Sequence, residues 1–139
     1  MRPSVVDGDA RVSLAAERDR GYEVIVVDAF SGDAIPVHLI TAEAIALYLS
    51  RLSSDGVVAV NVSNRHADLV RVVRAHAETF ELAGARRRAS VDSPLGRYRS
   101  DWAFLAFTPE ALAFTPEALP PGDPVTFTDD HAPLLTLLR

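Results

Sequence analysis

Two short runs of β-branched residues constrain the fold of this chain more than any other feature. The first run is Val24-Ile25-Val26-Val27, and the second extends from Val57 to Val60. Runs of this kind are typical of parallel strands that are buried on both faces of a sheet. Because ligands bind at the carboxyl ends of parallel strands, we expect the polar residues after the runs to converge on one crevice: Asp28, Asp33, Asn61 and Asn64.

Helical patterns separate the predicted strands. Thr41 suits an N-cap, and the helix after it would have one apolar face formed by Ile45, Tyr48, Leu49 and Leu52. Asp55-Gly56 is expected to end this helix. Asn64 is expected to cap the next helix, whose buried side would carry Leu69, Val73, Ala77 and Phe80. This alternation of strands and helices predicts right-handed crossovers and a parallel sheet.

The two ends of the chain add weaker signals. Ser4-Val5-Val6 is interpreted as the end of a strand, and Asp9 as the cap of a helix from about Ala10 to Asp19. Two further strands, Ala85 to Val91 and Trp102 to Phe107, follow each other without a helix between them. We therefore predict a single α/β domain whose sheet is mostly parallel, with an antiparallel hairpin at its edge.

Composition narrows the classes of function. Arginine supplies all 14 basic residues against 19 acidic ones, and the net charge of -5 disfavours nucleic acid or an anionic membrane as the main partner. The absence of cysteine excludes disulfides and thiolate catalysis. No apolar run approaches the roughly 18 residues of a membrane span, and no signal-peptide pattern is present. We therefore expect a soluble, cytoplasmic protein.

Side-chain chemistry alone leaves several alternatives open. Asp28 could act as a base or bind an amine, but the stretch after it could equally be a simple turn. Asp7-Gly8-Asp9 could orient an adenine or ribose, or Asp9 could only cap a helix. The four histidines are not spaced as a zinc site, so no metal is expected. Arg86-Arg87-Arg88 is interpreted as a solvated edge, since no glycine-rich phosphate loop accompanies it.

One heptapeptide occurs twice in succession. Ala106 to Leu112 is repeated without change as Ala113 to Leu119. Because a solenoid needs several repeats, this single copy is interpreted as a local duplication that extends a helix or a loop.

Five segments carry a family pattern in a constant order: Val6 to Arg11, Tyr22 to Pro36, Leu39 to Thr41, Asp55 to Asn61 and Thr128 to Asp130. Together they resemble the spermidine synthase-like family of aminopropyltransferases. The stretch around Asp28 is the most specific of the five. The resemblance runs over nearly the whole chain and implies a Rossmann-like sheet of the class I methyltransferase type.

The resemblance implies roles for individual residues. Asp9 and Ala10 resemble the residues that hold the adenine of decarboxylated S-adenosylmethionine or methylthioadenosine. Asp28 resembles the acid beside the attacking amine, which orients that amine and accepts its proton. Asp33 is the candidate second acid that grips the polyamine, although Ser31 stands where the family places it.

The remaining expectations concern completeness and partners. Asn61 is a further substrate-binding candidate, and decarboxylated S-adenosylmethionine or S-adenosylmethionine would serve as co-substrate, with no tightly bound cofactor. A glycine-rich turn and a ribose-binding acid, which the family places before its third strand, do not occur in this sequence. The chain is therefore expected to be the C-terminal half of such a domain and inactive alone.

Two other functions remain open at this point. One is a methyltransferase of the same fold that uses S-adenosylmethionine, and the other is a non-catalytic remnant serving in binding or assembly. The expected partner is a small polyamine or nucleoside. A homodimer is also expected, because the strand at Val24 to Val27 would otherwise present an unpaired edge.

Overall fold

The computed structural model describes residues 3–18, 21–29, 36–89, 99–115 and 117–138. The α-helices are α1 (Ala10–Ala16), α2 (Ala42–Arg51) and α3 (Val70–Thr79), and 3₁₀ helices cover Val37–Leu39, Pro109–Leu112 and Leu134–Leu137. The strands are β1 (Tyr22–Val27), β2 (Leu52–Asn61), β3 (Ala83–Ala89), β4 (Ser100–Ala106) and β5 (Glu117–Ala118). Within these described ranges, no helix has the length and apolar character required to cross a membrane.

The five strands form one mixed sheet in the order β1-β2-β4-β3-β5. β1 pairs with β2 in parallel, whereas β4 runs antiparallel to both of its neighbours, β2 and β3. Consequently β1, β2 and β3 share one direction, and β4 and β5 run against them. The predicted α/β fold is confirmed, including the antiparallel β3–β4 hairpin towards one end of the sheet. The two-residue strand β5 lies outside that hairpin.

The main core lies on one face of the sheet and includes residues of α2 and α3. Val58 and Val60 of β2 contribute to it from the sheet. The predicted apolar faces of both helices are confirmed, since Ile45 and Tyr48 of α2 and Val73 of α3 are buried. The largest side chains that are fully buried in this core are Phe127, Ile45, Leu69, Leu105 and Leu137. The C-terminal tail therefore supplies two of these large core side chains, Phe127 and Leu137.

The other face, which we call the open face, is covered only in part. Because side chains alternate along a strand, it carries Val57 and Phe104, which belong to a small cluster beneath the 3₁₀ helix Pro109–Leu112. At the β1 end of the same face, Val24 and Val26 are each 58% exposed. β1 is thus an outermost strand of the described sheet, and one of its two faces is open to solvent.

The structure corrects two predictions near the N-terminus. Ser4-Val5-Val6 is not a strand: it pairs with no described strand, and Val5 is 90% exposed. The helix capped by Asp9 ends at Ala16, because Glu17 has an extended backbone. The predicted helix end at Asp19 lies outside the described residues.

Two predicted helix boundaries are also wrong. Asp55-Gly56 does not end α2; the helix stops at Arg51, and both residues lie inside β2. Gly56 is required there for close packing, since a Cβ would lie 2.7 Å from the carbonyl oxygen of Tyr22 in β1. Asn64 does not cap α3, which begins at Val70; its Oδ1 instead accepts from the backbone of His66 and Ala67 in a turn. Strand pairing and local turns therefore replace the expected caps.

Candidate functional site

Asp28 and Asn61 meet at the carboxyl ends of β1 and β2. The parallel register pairs Val27 with Val60, so the next residues on the two strands lie side by side. Asn61 Nδ2 donates a hydrogen bond of 2.7 Å to Asp28 Oδ1. The structure therefore brings these two residues together as the sequence predicted, and their roles remain predictions. Asp28 is exposed, so its carboxylate is accessible to a ligand.

Both polar atoms of the Asn61 side-chain amide form hydrogen bonds. Its Oδ1 accepts from the backbone N–H of Ser63 at 2.9 Å while its Nδ2 binds Asp28. This assignment of the amide leaves the N–H side for the carboxylate, which is the chemically consistent orientation. The amide of Asn61 is neutral and brings no competing positive charge, so the carboxylate of Asp28 can bind an ammonium ion.

Asp101, which forms a partly buried ion pair on the other face of the sheet, holds the segment from Asn61 to Ser63 in place. Ser63 Oγ accepts from Asp101 N at 2.8 Å, and Val62 N donates to Asp101 O at 2.9 Å. The carboxylate of Asp101 accepts from Arg86 Nε at 2.8 Å and from a second guanidinium nitrogen of Arg86. The hydrogen bond to Asp101 raises the pKa of Arg86, so the guanidinium keeps its charge. Arg86 was predicted as part of a solvated edge, but its side chain is only 11% exposed.

Asp9 and Ala10 lie at the start of α1. Asp9 Oδ1 accepts from Arg11 N at 2.9 Å and Val12 N at 3.0 Å, so Asp9 caps the helix that Ala10 begins. The hydrogen bond from Val12 lowers the pKa of Asp9. Its Oδ2 lies 3.4 Å from His38 Nε2. The capping alternative is confirmed for Asp9, and a role in holding adenine remains a prediction.

Next to Asp9 lies a cluster that the sequence did not predict. Arg11 donates two hydrogen bonds to Asp129, of 2.7 and 2.9 Å, and Thr41 Oγ1 donates to the same carboxylate at 2.7 Å. These bonds, that of Arg11 first, lower the pKa of Asp129 to about 2. Together with Val37 and His38, the three residues line a cleft of about 550 Å³. The only signal in the sequence was Thr128-Asp129-Asp130, which belongs to the family pattern.

Of the other residues predicted for this crevice, only Asn64 lies within the described ranges. Asn64 is used by the turn described above. Ser31 and Asp33 lie outside the described residues. Across the part of the chain that is described, no group of three His, Asp or Glu side chains is arranged to hold a metal ion. The described candidate site therefore consists of Asp28 and Asn61, with Asp9 and Ala10 at a separate helix terminus.

Comparisons with known proteins show which proteins this chain is similar to. No protein-family model matches the chain. A curated polyamine aminopropyltransferase from Vibrio vulnificus (strain CMCP6) is 43% identical over 56 residues, which cover 39% of this chain and 19% of that protein.

Two solved structures share the fold. A probable spermidine synthase from Corynebacterium glutamicum ATCC 13032 matches with a TM-score of 0.51 and 25% identity, covering 88% of this chain and 47% of that one. MNMC2 from Aquifex aeolicus also has a TM-score of 0.51, covering 84% of this chain and 31% of that one; at 22% identity this likeness shows the fold alone.

The chain thus spans about a fifth of the curated relative and under half of each solved neighbour. In both solved neighbours most of this chain is matched, so the likeness extends over its sheet and is not limited to one motif. These findings confirm the resemblance predicted from the sequence: the chain is similar to the spermidine synthase-like family of transferases.

Proposed function

We propose that this chain carries the amine-binding part of a spermidine synthase-like aminopropyltransferase, as the C-terminal half of such a domain. The observation that carries the proposal is the exposed carboxylate of Asp28, held by Asn61 at 2.7 Å at the carboxyl edge of the sheet. Ligands of open α/β sheets bind at this edge. The polyamine aminopropyltransferase of Vibrio vulnificus, with 43% identity over 56 residues, supports the choice of reaction.

In the proposed reaction of the complete protein, decarboxylated S-adenosylmethionine donates its aminopropyl group to a polyamine. The amine nitrogen forms a bond to the carbon beside the sulfonium, the carbon–sulfur bond breaks, and methylthioadenosine leaves. Asp28 is the proposed catalytic residue, which orients the amine and accepts its proton. Asn61 fixes the direction of that carboxylate, and Ser31 and Asp33 remain proposed substrate-binding residues. Asp9 and Ala10 are the proposed nucleoside-binding residues.

The role of Asp28 is tested by removing its charge. Asp28→Asn keeps the shape but replaces a charge-assisted bond to the ammonium ion, so polyamine affinity should fall about tenfold or more. Isothermal titration calorimetry with spermidine measures the effect. Asp55→Asn removes the same charge from an exposed position in the middle of β2 and serves as the matched control. Equal binding by Asp28→Asn and the parent chain would falsify the assignment.

The 139-residue chain by itself should not turn over putrescine with decarboxylated S-adenosylmethionine. The reason is that its sequence contains no glycine-rich turn with which to bind the adenosine part of the co-substrate. A radiochemical or mass-spectrometric assay of the purified chain measures this. Measurable formation of methylthioadenosine would contradict the proposal of inactivity, while leaving the binding role of Asp28 in place.

A methyltransferase using S-adenosylmethionine is the second candidate. It is favoured by Ser31, which occupies the place of the second polyamine-gripping acid. Differential binding separates the candidates, since an aminopropyltransferase site should prefer methylthioadenosine and a methyltransferase site S-adenosylhomocysteine. Binding of neither would favour a non-catalytic role in assembly. A cytoplasmic location remains a prediction from the sequence, which cell fractionation would test.

We also propose that two copies of the chain pair through β1. β1 is an outermost strand of the described sheet, and Val24 and Val26 on its open face are each 58% exposed. An exposed apolar edge of this kind favours association with another strand. A two-fold dimer would cover the edge of each copy with that of the other.

Light scattering tests the dimer at micromolar concentration. The parent chain should show the mass of a dimer, and a variant with Val24→Lys and Val26→Lys should show that of a monomer. Val12→Lys, at another exposed apolar position on α1, is the matched control and should remain dimeric. A well-folded monomeric parent chain would overturn the proposal.

A further inference from the structure

Four side chains form a row across the open face at the carboxyl edge of the sheet. The strand register pairs Asn61 with Trp102 and Trp102 with Arg87. Asp28 extends this row on the other side, because Asn61 binds it directly. The row therefore runs from acid to amide to aromatic to base across β1, β2, β4 and β3.

The alternation of the strands places all four on the same face. Phe104, two residues after Trp102, packs on Phe114 on the open face, with ring centroids 5.1 Å apart. Asp101 lies on the opposite face, where it binds Arg86. Arg87 therefore points away from the ion pair made by its neighbour, towards the open face.

The charges at the ends of the row are accessible. Asp28 and Arg87 are both exposed, and Trp102 between them is half-buried. Directly opposite residues on neighbouring strands lie about 5 Å apart, so the two charged ends are separated by about 15 Å at the level of the backbone. The side chains can lean inward, which shortens the span that a ligand must cover to roughly 10 Å.

We infer that this row binds a dipolar amine, meaning a ligand with an ammonium group at one end and a carboxylate or similar anion at the other. The ammonium group binds Asp28, the apolar middle lies on Trp102, and the anion binds Arg87. The inference rests on the proposed amine-binding role of Asp28, and it makes a dipolar amine the preferred acceptor in place of the polyamine proposed above. A simple polyamine would place a second positive charge near Arg87, where it is repelled.

Two probes of equal length test the inference with the 139-residue chain. 8-Aminooctanoic acid carries an ammonium and a carboxylate roughly 10 Å apart, and 1,8-diaminooctane carries two ammonium groups at the same spacing. Trp102 is the sole tryptophan of the sequence, so its fluorescence reports a ligand lying on the row. The amino acid should bind more tightly than the diamine by about two- to fivefold, the range of an exposed charge pair.

Two arginine variants identify the partner of the anion. Arg87→Gln should remove the preference for the amino acid without weakening diamine binding. Arg88→Gln removes the same charge one residue away on the other face of β3, and should leave the preference intact. Equal or tighter binding of the diamine by the parent chain would overturn the inference, as would a preference that survives in Arg87→Gln.

A further variant separates this inference from the function on which it rests. Asp28→Asn should weaken both probes, since both place an ammonium group on that carboxylate. If the diamine binds Asp28→Asn as well as the parent, the proposed amine site itself is wrong. If the diamine is weakened by Asp28→Asn but Arg87→Gln does not alter the preference, the amine site stands and only the dipolar specificity is refuted. Circular dichroism of each variant confirms that it is folded.

Discussion

Removing the carboxylate of Asp101 should destabilise the protein substantially. Asp101 accepts two hydrogen bonds from Arg86, and the two side chains are only 14% and 11% exposed. In Asp101→Asn, one amide N–H₂ group would face the guanidinium, so the positive charge would be left without its partner. Breaking a buried ion pair in this way costs about 3–5 kcal/mol, and the residual exposure of this pair reduces our expectation to about 2–3 kcal/mol.

Urea denaturation followed by Trp102 fluorescence measures the free energy of unfolding. In a thermal scan the same loss corresponds to a decrease in Tm of roughly 6–12 °C for a chain of this size. Asp55→Asn, on an exposed part of β2, is the control and should change stability by less than about 0.5 kcal/mol.

A second variant tests the mechanism of that loss. Replacing both partners, as Arg86→Met with Asp101→Leu, should recover most of the stability, because no buried charge is then left unpaired. Arg88, whose Nε also lies 3.4 Å from Asp101, is 62% exposed, so water can solvate it in the double variant. Two results would refute the reasoning: a loss below about 1 kcal/mol in Asp101→Asn, as expected for an exposed pair, or no recovery in the double variant.

Three further predictions concern packing and pH. Gly56→Ala should cost about 1–3 kcal/mol of stability, because the added Cβ would lie 2.7 Å from the carbonyl oxygen of Tyr22. Gly122→Ala is the control, since a Cβ at that position meets open space. The midpoints of urea denaturation compare the two variants, and equal midpoints would contradict the packing argument. The pKa of Asp129 is lowered from 3.8 to about 2 in the folded state. Its contribution to stability is therefore present above the ordinary pKa and is lost as pH falls towards about 2. Asp129→Asn should flatten the pH dependence of the free energy of unfolding in this window. Burial lowers the pKa of His76, so the unfolded chain takes up the proton first and stability should fall as pH decreases below about 6.5. His76→Gln should lack this decrease between about pH 7.5 and about pH 5.5, and an unchanged slope would show that another group is responsible.

Local sequence determined the features that depend on near neighbours. The β-branched runs form β1 and β2, because such residues pack well on a pleated surface. Asp9 and Thr41 cap α1 and α2, since each needs only the backbone N–H groups of the next turn. The meeting of Asp28 and Asn61 was also predictable, because parallel pairing of two recognised strands brings their carboxyl ends together.

Long-range contacts escaped prediction from the sequence. Arg11 and Asp129 are separated by 118 positions, and no local pattern signals their ion pair. Asp55-Gly56 resembles a turn by composition, yet it lies within β2 because the close approach of β1 requires a residue without a side chain. In each case the deciding partner lies far away in the chain.

The repeated heptapeptide shows most directly which features follow from local sequence and which from tertiary contacts. In the first copy, Pro109–Leu112 forms a 3₁₀ helix; in the second, Glu117–Ala118 forms strand β5. The second copy lies along β3, where Thr115 Oγ1 donates to the carbonyl oxygen of Arg86 and Leu119 packs over Gly84. Since the two copies have the same sequence and therefore the same intrinsic propensities, local preference cannot account for the difference. Only the second copy lies beside the edge of β3 that β4 leaves unpaired. Hydrogen bonding to the backbone of that edge gives the second copy its extended conformation.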